Sequence, residues 1–352
     1  MLTEKEWIDI GYSKGLIDPT LGTSVTLQDV YSAWIMLKET PTNRDNIKRL
    51  KSSWKAYYSD EPTSKPIIES ALSKLTPLML REWAENLLKK HYPVDKKKFS
   101  RMFGIMNQCF EYACDEDIHY LRSNPWEKAK KKINPLLITG KPLPLDEEQV
   151  FTDDERRQLY EMVLADLDKY KRHPTSAGLQ ILFLFETGLR MGEACGLKWS
   201  DIRGNSLMIR RQANNDGVKE WTKTDAGYRE IPLTSAARDI LDKVAEYNRI
   251  NGFTEKDWIF QSNNEQYDNR LSYNSASRKL KKLCTRLDTV SKSPHKCRKT
   301  CISALLDCPD INKRTVQRFA GHSDIATTFR YYSFERKTKE EQTKLIEIAL
   351  KV

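Results

Sequence analysis

Apolar residues recur at helical spacing through most of this chain. Leu27, Val30, Tyr31, Trp34, Ile35 and Leu37 mark roughly one face over Val25–Lys38, which predicts an amphipathic helix. Ile47, Leu50, Trp54 and Tyr57 repeat the pattern over Asn43–Tyr57, beside Arg44, Lys48, Arg49, Lys51 and Lys55. Thr76-Pro77 opens a third helix that runs to Lys89. Thr serves as the N-cap, and Pro takes the first helical position, where its missing N–H leaves nothing unpaired. Lys96–Cys114 gives a fourth, with Phe99, Met102, Phe103, Met106 and Phe110 as its apolar stripe. Asn124-Pro125-Trp126 then reads as the end of the bundle.

The periodicity stops between Ile133 and Gln149. Asn134-Pro135, Gly140, Pro142 and Pro144 remove backbone donors and disfavour helix before each proline, so this stretch reads as an extended linker. Thr152 with Asp153-Asp154-Glu155 opens a new helix, acids in its first turn. Ser176–Glu186 is a strongly apolar helix. The period then shortens: Leu207–Arg210 and Tyr228–Leu233 read as strands, with turns at Asn214–Gly217 and Asp225–Gly227. Helices resume over Ala236–Asn248, Ser272–Leu287, Lys299–Leu306, Asn312–Phe319 and Lys337–Leu350. The prediction is a mainly α chain with a small antiparallel β-sheet in its C-terminal domain. Its parts are an N-terminal segment 1–23, a helical domain 24–135, a linker 136–150, a second domain 151–335 and a C-terminal helix 336–352.

Composition narrows the function class. The chain has 352 residues, enough for two domains. Lys plus Arg number 59 against 49 acids, a formal charge of +10 that fits a nucleic-acid partner. The seven cysteines contain no C-x-x-C pair, so neither a disulfide framework nor a zinc ribbon is indicated, and reduced thiols in a cytosol are expected. Met1–Ile10 lacks a signal-peptide core, and no apolar run approaches the roughly 18 residues of a membrane span.

Breaking and rejoining a DNA strand without metal or ATP sets a list of requirements. Arginine forks must neutralise a phosphodiester whose charge grows in the transition state. A nucleophile must attack in line, and a general acid must protonate the departing 5′ oxygen. The C-terminal run Ala320-Gly321-His322-Ser323-Asp324-Ile325-Ala326-Thr327-Thr328-Phe329-Arg330-Tyr331-Tyr332 offers a tyrosine nine positions after a histidine.

Three further segments carry a family resemblance. Thr187-Gly188-Leu189-Arg190-Met191-Gly192-Glu193 and Pro294-His295-Lys296-Cys297-Arg298-Lys299-Thr300 resemble two signatures of the tyrosine recombinase (phage integrase) family. Thr222-Lys223-Thr224 with Tyr228–Leu233 resembles the family's lysine-bearing hairpin. The resemblance covers about residues 150–335 by motif, and 24–135 by pattern only. It implies a helical core-binding domain followed by a tyrosine-recombinase catalytic domain. Arg190 and Arg298 would clamp the scissile phosphate, and Lys223 would protonate the leaving 5′ oxygen. His295 would act as acid/base, His322 would donate to a phosphate oxygen, and Tyr331 would form a 3′-phosphotyrosyl link. Glu193, three residues after Arg190, would orient active-site groups. Tyr331 competes with Tyr332 and Lys223 with Lys219; spacing from His322 favours Tyr331. Cys297 and Lys299 stand where the family often has Leu and His.

The implied partner is double-stranded DNA, gripped in a C-shaped clamp by a homotetramer on paired sites, without cofactor or metal. Accessory DNA-bending or directionality factors are candidate further partners. The implied setting is the cytoplasm of a bacterial host carrying a phage or integrative element. Charge placement offers Lys48, Lys51, Lys55, Lys97, Lys98, Arg101, Arg210, Arg229, Arg278, Lys281 and Lys282 as phosphate contacts. The apolar residues Leu345, Ile346, Ile348, Ala349 and Leu350 would either close the helix on its own domain or, as the resemblance implies, dock it on a neighbouring protomer. Two alternatives stay open: a catalytically silent DNA-binding protein of this fold, and a type IB-like topoisomerase.

Overall fold

A computed structural model of the chain describes residues 25–39, 44–118, 120–140, 145–169, 176–215, 217–220, 228–253 and 257–350. The chain divides into two compact units, residues 1–143 and 144–352. Segment 1–23 lies outside the described residues.

The first unit is helical: α1 Leu27–Lys38, α2 Arg44–Trp54, α3 Lys65–Ile68, α4 Pro77–Lys90, α5 Lys96–Ala113 and α6 Pro125–Lys130. Four of these starts have a side-chain cap. Thr26 and Asp29 form a capping box on α1, and the side chains of Thr76 and Asp95 accept from the first turns of α4 and α5. Asn124-Pro125-Trp126 is a helix start and not the end of the bundle. The Asn124 side chain accepts from the amides of Trp126 and Glu127 at 2.9 and 3.3 Å, and Trp126 is fully buried against Phe103 and Trp83. Apart from Leu37, which is exposed, the apolar stripes read from the sequence meet in one core, where Trp54 stacks between Tyr31 and Tyr58.

The second unit opens with α7 Asp146–Gln149 and α8 Asp153–Lys169. Thr152 and Glu155 cap α8 reciprocally, at 2.9 and 3.1 Å. The apolar helix α9 Ala177–Thr187 is buried along nearly its whole length. It packs against α11 Ser235–Asn251, α12 Tyr273–Arg286 and α13 Pro294–Asp307. Between α9 and α11 lie α10 Met191–Cys195 and the strands β1 Ile202–Arg203, β2 Ser206–Ile209, β3 Gln212–Asn214, β4 Gly217–Lys219 and β5 Arg229–Pro232. The sheet is two small sheets: antiparallel β1-β2-β5, and the hairpin β3-β4. In the first, Leu207 pairs with Ile231 and Ile209 with Arg229, and all four face inward.

The last elements are α14 Lys313–Ala320, α15 Ile325–Tyr332 and α16 Lys339–Leu350. Two boundaries differ from the sequence reading. Helix α13 begins at Pro294, five residues before Lys299, so His295 and Arg298 both stand on it. Proline at the first helical position, with its φ already helical, accounts for the early start. The segment after His322 is itself a helix, α15, whose N-cap Asp324 accepts from the Ala326 amide at 3.0 Å. None of α16 is buried. Among the described residues no helix is long and apolar enough to cross a membrane.

Candidate active site

Two left-handed glycines build the frame. Helix α9 ends at Gly188, whose φ of 57° favours glycine; a Cβ there would stand 3.2 Å from Cys301 Sγ. The chain then turns so that Arg190 becomes the N-cap residue of α10. Helix α14 ends the same way at Gly321, with φ 64°. The carbonyls that these two helix ends leave free receive the two arginines. Arg298 donates to Gly188 O at 2.5 Å and to Ala320 O at 2.6 Å, and Arg190 donates to Gly321 O at 3.1 Å. Helix ends leave such carbonyls unpaired, and a guanidinium fork suits them in charge and shape.

Arg298 is fully buried and is the hub of the cluster. Its Nη2 lies 2.9 Å from His322 Nε2, and its Nε donates to the Tyr332 hydroxyl at 3.3 Å. A guanidinium cannot accept, so His322 Nε2 is the acceptor and Nδ1 carries the proton, donated to Thr328 Oγ1 at 2.9 Å. Desolvation, then the charges of Arg298, Arg190 and Arg229, pull the His322 pKa down to about 3. His295 is exposed on one side, and its ring meets that of Tyr332 edge-on at 5.8 Å. Desolvation of its packed face, then Arg298, Lys299, Lys296 and Arg190, hold its pKa at about 4. Both imidazoles are therefore neutral at pH 7.

Glu193 is buried and accepts four hydrogen bonds. Oε1 takes Arg190 Nη1 at 2.8 Å and Arg229 Nη1 at 3.1 Å; Oε2 takes the Arg190 amide at 2.8 Å and Arg229 Nη2 at 3.0 Å. Burial pushes this carboxyl up, and Arg229, Arg298 and Arg190 more than reverse it, holding the pKa at about 2.

These shifts give a pH prediction. Below the ordinary histidine value of 6.5 the unfolded chain binds protons that His295 and His322 refuse, so stability falls as pH falls towards about 4 and about 3. Glu193 contributes stability above its ordinary 4.5 that is lost towards about 2. Urea midpoints measured from pH 7.5 to 4 are expected to decline from near pH 6.5 and more steeply below 4.5. His322→Gln should flatten the upper part. A flat profile for the unaltered chain would contradict the burial of His322 and Glu193.

The structure thus brings Arg190, Glu193, Arg298 and His322 into one hydrogen-bonded cluster with His295 at its edge. It does not bring in Tyr331. That side chain is 53% exposed on α15, and its hydroxyl makes no hydrogen bond among the described residues. Its neighbour Tyr332 is buried at 6%, packed with Ile302, Val316 and Ala320, and its ring lies 4.7 Å from that of His322. Ser303 ties the Tyr332 carbonyl to α13. Lys223 falls outside the described residues.

Of the basic residues offered as phosphate contacts, Lys48, Lys97, Arg101, Arg278, Lys281 and Lys282 are exposed, the last three on one face of α12. Lys51 and Lys55 are exposed but face Glu39 at 3.1 Å and Asp60 at 3.9 Å. Arg210 is half-buried, with Nε 3.9 Å from Asp201. Lys98 folds back on the carbonyls of His91 and Pro93 at 2.6 and 3.3 Å, so two of its three donors are spent locally. Arg229 requires correction. It is buried and committed to Glu193 and to Phe319 O at 2.9 Å, so it presents nothing to a DNA backbone. The signal was present in the strand: Arg229 shares the parity of Ile231 and Leu233, the inward face.

Residues 149–338 match the phage integrase family. The chain is 28% identical over 321 residues to the prophage ps2 probable integrase of Lactococcus lactis subsp. lactis, covering 85% of this chain and 76% of that protein. It is 21% identical over 328 residues to the transposase from transposon Tn916 of Enterococcus faecalis, covering 89% and 75%. Among solved structures, the Tn1549 transposon integrase in complex with transposon right end DNA superposes with a TM-score of 0.65 at 15% identity, over 93% of this chain and 99% of that one. A lambda integrase tetramer bound to a Holliday junction gives 0.61 at 17% identity, over 93% and 82%. The match spans more than half of the chain and contains Arg190, Glu193, Arg298, His322 and Tyr331. The chain belongs to the phage integrase family and is an enzyme of the tyrosine site-specific recombinase type.

Proposed function

We propose that this recombinase cleaves and rejoins double-stranded DNA through a 3′-phosphotyrosyl intermediate, integrating or excising a mobile element. The observation that carries the reading is the convergence of Arg190, Arg298 and His322 on one cluster beside the helix that bears Tyr331. The Tyr331 oxygen forms a bond to the scissile phosphorus while the bond to the 5′ oxygen breaks. Lys223 supplies the proton that the 5′ oxygen takes up, and His295 receives the tyrosine proton. Arg190 holds the equatorial oxygens, where charge grows, and Arg298 joins it when its Nη2 turns from His322 Nε2 to the phosphate. His322 donates to one of them once its ring proton moves to Nε2; Thr328, a hydroxyl, can then donate to Nδ1. The phosphotyrosyl bond keeps the energy of the phosphodiester, so the reverse attack by a 5′ hydroxyl reseals the strand without ATP.

Similarity to integrases solved on transposon-end DNA and as a tetramer on a Holliday junction supports DNA as substrate and a tetramer as the working assembly. Helix α16 supports the second point. Leu345, Ile346, Ile348 and Leu350 are 46–75% exposed, while Arg336 just before the helix is anchored to Asp153 and Asp307. Such a bare apolar face on an anchored stem fits docking on a neighbouring protomer. Truncation after Thr338 keeps the anchor and is expected to leave the melting temperature unchanged while tetramers on DNA are lost. Wild-type assembly of the truncated chain would refute the docking role.

The direct test is a suicide duplex carrying the element's junction site. A covalent adduct through the 3′ phosphate is expected, and its absence would refute the enzyme mechanism. A topoisomerase would also form the adduct, so efficient relaxation of supercoiled DNA lacking any site would favour that alternative.

A further inference from the structure

We infer that Arg229 is a positioning residue of the strand-transfer site: it neutralises Glu193 so that the charge of Arg190 remains available to the scissile phosphate. The inference rests on the recombinase reading above. Its observations are geometric. Arg229 forks onto both oxygens of Glu193 at 3.1 and 3.0 Å, and Nε donates to Phe319 O at 2.9 Å. The side chain is 6% exposed and the carboxylate 3%. The opposite edge of the same carboxylate holds Arg190 by its Nη1 and by its own amide, both at 2.8 Å. Arg190 itself is 41% exposed, so it is the member of this chain of contacts that a phosphate can reach.

The charge balance gives the arrangement its meaning. Two guanidiniums bond the one carboxylate, Arg298 acts on it through space, and both imidazoles are neutral, so among the described residues the three arginines leave two positive charges over. A phosphodiester brings one negative charge, and a second develops as the phosphorus becomes five-coordinate. Two positive charges match that transition state better than the ground state, which is where catalysis gains. Without Arg229 only one would remain. Glu193, no longer countered from behind, would compete with the phosphate for Arg190. The Phe319 contact adds a mechanical link, because Phe319 lies two residues before Gly321, whose carbonyl receives Arg190. Strand β5 is thereby tied to the helix end that carries the Arg190 and His322 contacts.

A glue role for Arg229 and a charge-balancing role predict different double mutants. Arg229→Met is expected to slow adduct formation on the suicide duplex by about 100-fold, the loss typical of one transition-state donor. DNA affinity and its salt slope should change less than about twofold, because Arg229 meets no phosphate; an exposed contact would reduce the slope by about one. Adding Glu193→Gln removes the uncompensated charge and should restore at least about tenfold of the rate, and part of the melting temperature lost in Arg229→Met. Arg229→Lys, which keeps the charge and folds more readily, should stay within about tenfold of the unaltered enzyme. Wild-type adduct rates in Arg229→Met, or a double mutant no faster than the single one, would overturn the inference. If the unaltered chain forms no adduct, the recombinase reading fails and the positioning role falls with it. The melting temperatures of the single and double mutants then still decide whether Arg229 neutralises Glu193.

Discussion

Tyr331→Phe is expected to abolish the covalent protein–DNA adduct, and Tyr332→Phe to retain it. The two side chains differ in what they are already doing. Tyr332 is 6% exposed, with its ring among His295, His322 and Arg298 and its carbonyl held by Ser303. Its hydroxyl accepts from Arg298 Nε at 3.3 Å, a long contact. Removing that hydroxyl deletes one modest hydrogen bond and leaves the packing, a cost of about 0.5–1.5 kcal/mol, or at most about tenfold in rate. Tyr331 is 53% exposed, so its oxygen can reach a phosphate that arrives from outside. Removing it removes the proposed nucleophile, and no neighbouring group replaces a tyrosine oxygen. The readout is the adduct band on a suicide duplex. An adduct lost in Tyr332→Phe and kept in Tyr331→Phe would assign the chemistry to the buried tyrosine.

Arg298→Ala should damage stability and chemistry together. The guanidinium is fully buried, and its donors satisfy Gly188 O, Ala320 O and His322 Nε2. Deleting it strands three buried acceptors at about 1–3 kcal/mol each, so urea unfolding is expected to show a loss of about 3 kcal/mol or more. A variant that unfolds says little about mechanism, and Arg298→Lys separates the two effects. Lysine keeps the charge but cannot serve Gly188 O and Ala320 O from one planar fork. It should fold with a smaller loss, and adduct formation should still drop about 10²–10³-fold. A lysine variant that reacts at the unaltered rate would remove Arg298 from the phosphate site.

Much of this was legible before any coordinate. The apolar stripes of α1 and α5 are local patterns, and the structure packs them into the core except for the exposed Leu37. Thr152 with Glu155 announced one helix start and Thr76-Pro77 another; each depends only on a few neighbouring residues. Boundaries set by weak signals were harder. Asn124-Pro125 reads equally as a stop or as a cap and first turn, and only the burial of Trp126 between Trp83 and Phe103 selects the second. The short helix α15 went unread because eight residues are too few for a clear periodicity.

What the sequence determined by itself was therefore the inventory: mainly helical architecture, a basic surface, and Arg190, Arg298, His322 and a Tyr-Tyr pair in family order. What only the tertiary structure decided was how these groups pair. Arg229 and Glu193 lie 36 residues apart, and Arg190 and Gly321 lie 131 apart. A basic residue in a strand looks the same whether it faces solvent or a buried carboxylate; the fold settles that by placing β5 against α10 and α14. The same holds for Tyr331 and Tyr332: adjacency makes them alike in sequence, and the packing of one helix face makes one a buried support and leaves the other open to solvent.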